Sequence, residues 1–457
     1  MSSDLLITGG AVVTLDNNGT VHDPGWVRID DGRISAIGAG VAPSAMHDNV
    51  EVIDASDCAV MPGMTNAHTH LFQTFFRGLA DDRMLLDWLR DCIWPAAEHI
   101  DAETAYLAAK VGLLENLLSG ATAVIDHQYV HPGSTADAID DAVCRAADEL
   151  GVRLLLAHGW ADRNYHEPLI ESSADAIRRT RAVFDRWDGH DEGRIRIELG
   201  PLIPWGCSDD AMIETIAAAR SWGRGTHVHC AETKVEVDMS LDERGMRHVP
   251  WLSSVGALGP DVQLAHSVWL DDDEIALVAE SGATVVHCPV SNMYLASGVA
   301  RILDMRRLGV PIALASDGSG SNNRQDMFEA LKVAVLLQKV HHLDPMALQP
   351  EDVLNMACRG GARAFGTPDE FGQLQIGMAA DCLVVDLNTP SVVPVHRIAS
   401  ALVFNCSPAN VRDVIVAGKP IVRDHQHVSV NASDLIDEAI ASARALFRRA
   451  GISTRLG

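Results

Sequence analysis

The 457-residue sequence predicts an α/β protein in which a (β/α)8 TIM barrel carries a small β-sandwich formed from the N- and C-terminal segments. Two observations predict this architecture. Between residues 59 and 365, eight apolar strand-like runs alternate with stretches of helical pattern, which is the order that builds a parallel barrel. Short strands punctuated by Gly and Asp fill residues 4–57, and strands return after residue 365, which indicates a separate small β unit.

The predicted barrel strands are runs of apolar residues that end before polar ones. They lie at 59–64, 121–125, 153–157, 195–199, 225–228, 262–265, 283–286 and 311–315. Helices are predicted between them, for example at 102–118 and 210–220. Terminal strands are predicted at 5–7, 11–15, 26–29, 33–37, 52–54, 381–386, 411–416 and 419–423, with a closing helix at 432–449. The predicted domains are 1–58 with 366–457 for the sandwich, and 59–365 for the catalytic barrel.

Composition excludes several classes of partner. The formal net charge is −26 and no basic run occurs, which argues against binding to nucleic acid or to an anionic membrane. The first residues show no basic segment followed by a long apolar stretch, and no apolar run of about 18 residues occurs later. Nine scattered cysteines without a Cys-X-X-Cys pair fit reduced thiols. These features predict a cytoplasmic protein.

The candidate metal site begins with two histidines. His68 and His70 stand two residues apart, and side chains at this spacing share one face of a strand. Two neutral imidazoles so placed suit one Zn²⁺ or Fe²⁺. In a barrel, further ligands come from the carboxyl ends of other strands. The candidates there are His229 after the fifth strand, His266 after the sixth and Asp317 after the eighth.

Together these residues resemble the amidohydrolase superfamily, and within it the metal-dependent aminohydrolases and chlorohydrolases of N-heterocycles. The resemblance covers nearly the whole chain. It is carried by residues 62–70, 229–232, 266, 287–292, 317–323 and 377–381. It implies one divalent metal per chain, with zinc as the first choice and iron as the alternative. The implied ligands are His68, His70, His229 and Asp317.

Two details of this ligand set come from the resemblance. His227 shares a strand face with His229 and is the rival ligand, but His229 stands three residues before Glu232, as the family places them. Two-metal members of the superfamily carry a bridging residue after the fourth strand, and residues 199–204 offer none here. One metal is therefore expected rather than two.

The residue types point to hydrolysis by activated water. A bound metal lowers the pKa of water from about 15.7 to about 7 in favourable sites. Asp317 is expected to take the proton while remaining a ligand, and Glu232 to protonate the ring nitrogen beside the attacked carbon. His266 is expected to orient the hydroxide or to stabilise the developing charge. Ammonia, an amine or another leaving group would then depart from the ring.

A flat heterocycle needs aromatic faces and a few polar groups to fix its orientation. The predicted substrate contacts are Gln73, Trp88, Trp94, Glu232, His266 and Asn292. Trp160 and Trp205 further suggest an apolar lining. Gln73, Trp88 and Trp94 follow the first barrel strand, where a loop would cover the metal.

Different segments resemble different relatives. Residues 77–82, 86–89 and 93–95 are similar to deaminases of methylthioadenosine and adenosylhomocysteine. However, Leu202 stands where those enzymes have a His that contacts the nucleoside, and His158 where they have an Arg. Loss of such contacts disfavours adenosine-type substrates. Residues 126–133 resemble triazine hydrolases and 8-oxoguanine deaminases. Purines, pterins, pyrimidines and triazines all remain candidate substrates.

The leading hypothesis is a metal-dependent hydrolytic deaminase, or aminohydrolase, of a small N-heterocycle. One alternative is a hydrolase that removes chloride or an alkylamine from a triazine-type ring, and another is a methylthioadenosine or adenosylhomocysteine deaminase. A catalytically silent, metal-stabilised binding protein is the alternative outside the enzymes. The expected partner is the small heterocyclic substrate, and the family resemblance implies a homo-oligomer.

Overall fold

The computed structural model describes residues 4–48 and 50–455. Eight parallel strands follow one another around the barrel in chain order. They are Met64–Thr69, Ala121–Gln128, Arg153–Trp160, Ile195–Pro201, Thr226–Cys230, Val262–His266, Thr284–His287 and Ile312–Leu314. The first and last strands meet where the amide of Asp317 donates to the carbonyl of His68 at 3.0 Å. The predicted TIM barrel is confirmed.

The first barrel strand lies one strand later than the sequence analysis placed it. The run predicted at 59–64 forms Cys58–Pro62, which pairs with Cys382–Asp386 in the terminal unit. The barrel starts after Gly63, with Met64–Thr69. Both strands are wholly buried, and the second begins with the apolar residue Met64. The apolar pattern therefore does not show where the first strand ends and the barrel strand begins. The division of the chain at residues 58 and 366 stays a prediction.

Helices surround the barrel strands. The longer ones are Ala102–Leu118, Ile139–Leu150, Ser173–Trp187, Asp209–Ser221, Lys234–Arg244, His248–Ser254, Asp272–Ser281 and Met327–His342. Shorter ones are Leu85–Trp88, Trp94–Ala97, Pro289–Tyr294, Ile302–Arg307, Ser319–Asn322, Pro350–Asn355 and Gly361–Ala364. Local sequence sets their ends: the side chain of Asp101 accepts from the amide of Thr104 at 2.8 Å, which satisfies a free donor of the first turn.

The terminal segments form two packed sheets. The four-stranded sheet contains Leu5–Thr8, Gly25–Asp30, Arg33–Ala39 and Glu51–Asp54. The seven-stranded sheet contains Ala11–Val13, Val21–His22, Cys58–Pro62, Cys382–Asp386, Val411–Val416, Lys419–Arg423 and Gln426–His427. Residues such as Ile7, Val27, Val60 and Val384 from both sheets share one apolar core. The predicted sandwich from the two ends of the chain is therefore present.

Two contacts tie the terminal segments to the barrel. Arg153, at the start of the third barrel strand, makes a buried ion pair with Asp381, with nitrogen to oxygen distances of 2.7 and 2.9 Å. The closing helix Ala432–Arg449 lays Phe447 against Phe76, with ring centres 5.9 Å apart. Within the described ranges, none of the helices has the length and apolar character needed to cross a bilayer.

Candidate active site

Three imidazoles and one carboxylate converge at the carboxyl ends of the barrel strands. Nε2 of His70 lies 3.2 Å from Nε2 of His229. The Oδ1 atom of Asp317 lies 3.4 Å from Nε2 of both His68 and His70. Ligand atoms about 2.1 Å from a tetrahedral zinc are roughly 3.4 Å apart. These four side chains therefore fit a single divalent ion.

In two of these rings Nδ1 is hydrogen-bonded to the backbone, which leaves Nε2 for a metal. His70 donates through Nδ1 to the carbonyl of His127 at 2.7 Å, and His229 donates through Nδ1 to the carbonyl of Leu202 at 2.7 Å. Nε2 of His68 is buried and, within the described part of the chain, has no hydrogen-bond partner. Such second bonds fix the tautomer and the orientation of a ligating histidine.

Burial also keeps the three rings neutral. It lowers the pKa of His68 and His229, and it lowers the pKa of His70 to about 3. A neutral imidazole is the form that binds a metal. Asp317, in contrast, is kept charged. Burial disfavours its charge, but the neighbouring His68 and His266 hold its pKa well below the usual range. Near neutral pH, three neutral imidazoles and one ionised carboxylate are therefore available to bind a cation.

His227, the rival ligand, lies behind His68. Its Nε2 is 2.8 Å from Nδ1 of His68, and the two rings are nearly parallel, with an interplanar angle of 5°. His229 lines the open pocket. This arrangement suits His229 as a ligand and His227 as a support for His68.

A second carboxylate lies beside the metal ligands. Oε2 of Glu232 is 3.6 Å from Nε2 of His266, and Oε1 accepts a hydrogen bond from Ser297 at 3.0 Å. Burial raises the pKa of Glu232 to about 7. Although burial opposes it, the carboxylates of Glu232 and Asp317 raise the pKa of His266. Glu232 can therefore carry a proton near neutral pH, as a general acid must.

Hydrogen bonds fix the side chains of His266 and of the candidate ligand Asp317. His266 donates through Nδ1 to Oδ1 of Asn292 at 2.9 Å. Oδ2 of Asp317 accepts from Ser291 at 2.5 Å and from Ser321 at 2.9 Å. Both His266 and Asp317 have φ of 67°, a left-handed conformation that side chains other than glycine rarely adopt and that concentrates at functional sites.

A pocket of about 420 Å³ opens onto this cluster. Its lining includes His70, His229, Glu232, His266 and Asp317. Four aromatic side chains contribute to its wall: Trp88, Tyr129, Tyr165 and Trp205. Of the predicted substrate contacts, Gln73, Trp88, Glu232 and His266 line this space. An aromatic wall beside a polar floor suits a flat heterocycle.

The structure places the remaining predicted residues outside the pocket wall. Trp94 stacks on His166 and lies 5.0 Å, centre to centre, from Tyr165, which does line the pocket. Asn292 acts on His266 through its side-chain oxygen. Trp160 is fully buried in the barrel core. The roles of Trp94 and Asn292 as substrate contacts stay predictions.

Sequence reasoning missed several residues that support the site. Ser291 and Ser321 lie within segments that carried the resemblance, so proximity to Asn292 and Asp317 could have indicated them. Ser297, which bonds to Glu232, and Tyr165, which lines the pocket, belong to loops without a recognisable motif. Their positions depend on the path of each loop after its strand.

A second buried polar cluster lies behind the loops that carry Tyr129 and Tyr165. His158 donates to Asp140 at 2.5 Å and to Glu171 at 3.0 Å, and His131 bonds to Asp140 at 2.8 Å. Despite burial, the two carboxylates raise the pKa of His158 to about 10. The rings of His131 and His158 stack 3.9 Å apart, and the ligand atoms of His131, Asp140 and His158 lie within 4.8 Å of one another. A protonated imidazole such as that of His158 cannot bind a metal. Charge pairing rather than metal binding explains this cluster.

Comparison with known proteins agrees with this geometry. The model of the Amidohydrolase family matches residues 59–421. The chain belongs to the amidohydrolase family. This amidohydrolase is 38% identical over 447 residues to a 5'-deoxyadenosine deaminase from Methanosarcina mazei, covering 98% of this chain and 99% of the relative.

Two solved structures share the amidohydrolase's fold. An adenosine deaminase from Xanthomonas campestris with bound zinc has a TM-score of 0.89 and 30% identity, covering 98% of this chain and 99% of the other. The atrazine chlorohydrolase TrzN from Arthrobacter aurescens TC1, complexed with zinc, has a TM-score of 0.90 and 26% identity, covering 96% and 100%.

These matches confirm the coarse function predicted from the sequence. The protein is a metal-dependent hydrolase that acts on carbon–nitrogen bonds of cyclic amidines, an aminohydrolase of a heterocycle. The expected resemblance to nucleoside deaminases and triazine hydrolases is confirmed as well. An enzyme is therefore favoured over a catalytically silent binding protein.

Proposed function

We propose that this amidohydrolase removes the exocyclic amino group of an adenine-type ring, using one zinc ion held by His68, His70, His229 and Asp317. The observation that carries the proposal is the buried pair of Glu232 and His266 beside those ligands, 3.6 Å apart. The deaminases of adenosine derivatives among its relatives support the choice of ring. Iron is the alternative metal, because imidazole and carboxylate suit both.

The residues of the chain divide the proton transfers between them. A bound metal lowers the pKa of a water towards neutrality. Asp317 would accept a proton from the water that attacks the carbon bearing the amino group, and Glu232 would donate a proton to the adjacent ring nitrogen. His266 stabilises the oxygen of the tetrahedral adduct. Transfer of the proton from Asp317 to the amino group lets ammonia leave, and the hydroxyl proton of the adduct returns to Glu232 as the ring carbonyl forms.

The test is a panel of aminoheterocycles incubated with metal-replete protein, with ammonia measured directly. The panel contains adenine-type compounds, among them methylthioadenosine, adenosylhomocysteine and 9-cyclopentyladenine, together with aminopteridines, cytosine-type pyrimidines and aminotriazines. We expect release of ammonia from adenine-type compounds. Turnover of another ring alone would reject the adenine assignment, and turnover of none would reject the proposed deaminase.

A second candidate is removal of chloride or an alkylamine from a triazine-type ring. The largely apolar pocket wall favours it, as does the shared fold with an atrazine chlorohydrolase. Measuring chloride and alkylamine beside ammonia in the same panel separates the two reactions. A cytoplasmic location and assembly into a homo-oligomer stay predictions from the sequence.

A further inference from the structure

The pocket wall away from the reacting groups is apolar. Five of its residues are aliphatic: Leu85, Leu89, Leu202, Ile203 and Leu295. They belong to one apolar cluster, which also includes the aromatic side chains of the wall. They come from loops after three different barrel strands, so the apolar character is a property of the whole wall rather than of one segment.

Three polar side chains of the wall, those of Trp205, Tyr129 and Gln73, are bonded to the protein itself. The indole nitrogen of Trp205 donates to Glu236 at 3.0 Å, and the hydroxyl of Tyr129 accepts from Gln73 at 2.9 Å. The side-chain oxygen of Gln73 accepts from the amide of Gly320 at 3.2 Å. The polar atoms of these side chains thus bind other protein groups. The surface that remains for a substrate consists of aromatic ring faces and aliphatic side chains.

Charge in the pocket is confined to the reaction centre. Among the described residues, the carboxylates that line it are Glu232 and Asp317, and neither Lys nor Arg lines it. A carboxylate on the substrate would find no cation away from the metal ligands. A vicinal diol would have to compete for the polar groups of Gln73, Tyr129 and Trp205, which already have partners, and a hydroxyl buried without a partner is unfavourable.

We propose that this site takes a neutral aminoheterocycle whose substituent is apolar and free of hydroxyl groups, rather than a ribonucleoside. The inference rests on the proposed deaminase function and specifies the substituent that the same pocket accepts. It sets this chain apart from the relative whose name gives 5'-deoxyadenosine as the substrate. A cycloalkyl or short alkyl group on the ring would contact Leu202, Ile203 and Leu295.

The experiment compares adenosine, 5'-deoxyadenosine and 9-cyclopentyladenine, which keep one ring and one approximate shape while hydroxyls are removed. With metal-replete protein we expect kcat/KM to rise along this series, by about 100-fold from 5'-deoxyadenosine to 9-cyclopentyladenine, the scale on which an apolar pocket rejects an added hydroxyl. Equal or faster turnover of 5'-deoxyadenosine would overturn the inference and leave the deaminase intact.

Binding provides a readout that does not need turnover. Titration calorimetry of the same three compounds against metal-loaded Glu232→Gln is expected to give the tightest binding for 9-cyclopentyladenine. If no compound releases ammonia from the unaltered enzyme, the proposed function fails while the order of affinities still decides the inference. Equal affinities, tighter binding of the hydroxylated compounds, or no binding of any of the three would overturn it.

Variants of the wall test the cause. Leu202→Asn places an amide in the pocket and should reduce the preference for 9-cyclopentyladenine at least tenfold, whereas Leu202→Met, of similar volume and apolar, should retain it. Leu295→Asn repeats the test from another loop if the first variant fails to fold. An equal loss of preference in Leu202→Asn and Leu202→Met would show that shape rather than polarity selects the substituent, and would count against the inference.

Discussion

The carboxylate of Glu232 lies 3.6 Å from Nε2 of His266, and both side chains are buried beside the metal ligands. The two groups influence each other: His266 acts against the burial that raises the pKa of Glu232, and Glu232 raises the pKa of His266. One proton is thus available close to the pocket at neutral pH. This pair is the part of the site that distinguishes a hydrolytic centre from a metal site that only supports the fold.

Replacing Glu232 by Gln should leave metal binding intact and lower kcat by about 10²-fold or more, because the amide cannot donate the required proton. The measurement is ammonia release at saturating substrate, together with metal content by atomic absorption. Glu280→Gln, on an exposed part of a helix, is the matched control and should behave as the unaltered enzyme. A Glu232→Gln enzyme with full activity would remove Glu232 from the mechanism.

The pH dependence should report the same carboxyl group. Its pKa of about 7 means that Glu232 is protonated below pH 7 and loses its proton above it. Since the acid must be protonated to act, kcat/KM should fall tenfold per pH unit on an alkaline limb with a midpoint near pH 7. The profile of Glu232→Gln should lack that limb. A limb that persists unchanged in the variant would assign it to another group.

Metal analysis should find about one equivalent of a divalent ion per chain, and removal by a chelator should abolish turnover. His229→Gln should lose the ion because it removes a ligand. His227→Gln should lower metal affinity only about 10- to 100-fold, since it removes the support for His68, and excess zinc should restore its activity. If His227→Gln lost the ion and His229→Gln kept it, His227 would be the ligand. Two equivalents of metal per chain would reject the single-metal site.

The cluster around His158 should contribute pH-dependent stability. Its carboxylate partners raise the folded-state pKa to about 10, above the ordinary 6.5. The contribution is therefore complete below pH 6.5, decreases as pH rises, and disappears near pH 10. The difference in unfolding free energy between the unaltered enzyme and His158→Gln should shrink across that interval in urea titrations. A constant difference from pH 6 to pH 10 would show that His158 is not held as an imidazolium.

Sequence could predict that the candidate ligands converge, because His68 and His70 share a strand face and barrel strands end at one rim. The choice of His229 over His227 depended on the family resemblance. Sequence reasoning misplaced the first barrel strand because the apolar run 59–64 spans most of Cys58–Pro62 and the first residue of Met64–Thr69. It could not find the cluster of His131, Asp140, His158 and Glu171, because buried ion pairs carry no fixed spacing. Likewise, whether Trp94 or Tyr165 reaches the pocket is decided by tertiary packing of loops.

Gly63 has a consequence for how the protein matures. It is the only residue between Cys58–Pro62 and the strand that carries His68, and its amide donates to the carbonyl of Asp381 at 3.0 Å. One edge of Cys58–Pro62 pairs with the early strand Ala11–Val13, but the other edge stays unpaired until the ribosome has made Cys382–Asp386, more than 300 residues later. We expect the metal centre to be completed only after the chain is almost fully synthesised, so that zinc loading is a late event in biogenesis rather than a nucleus for folding.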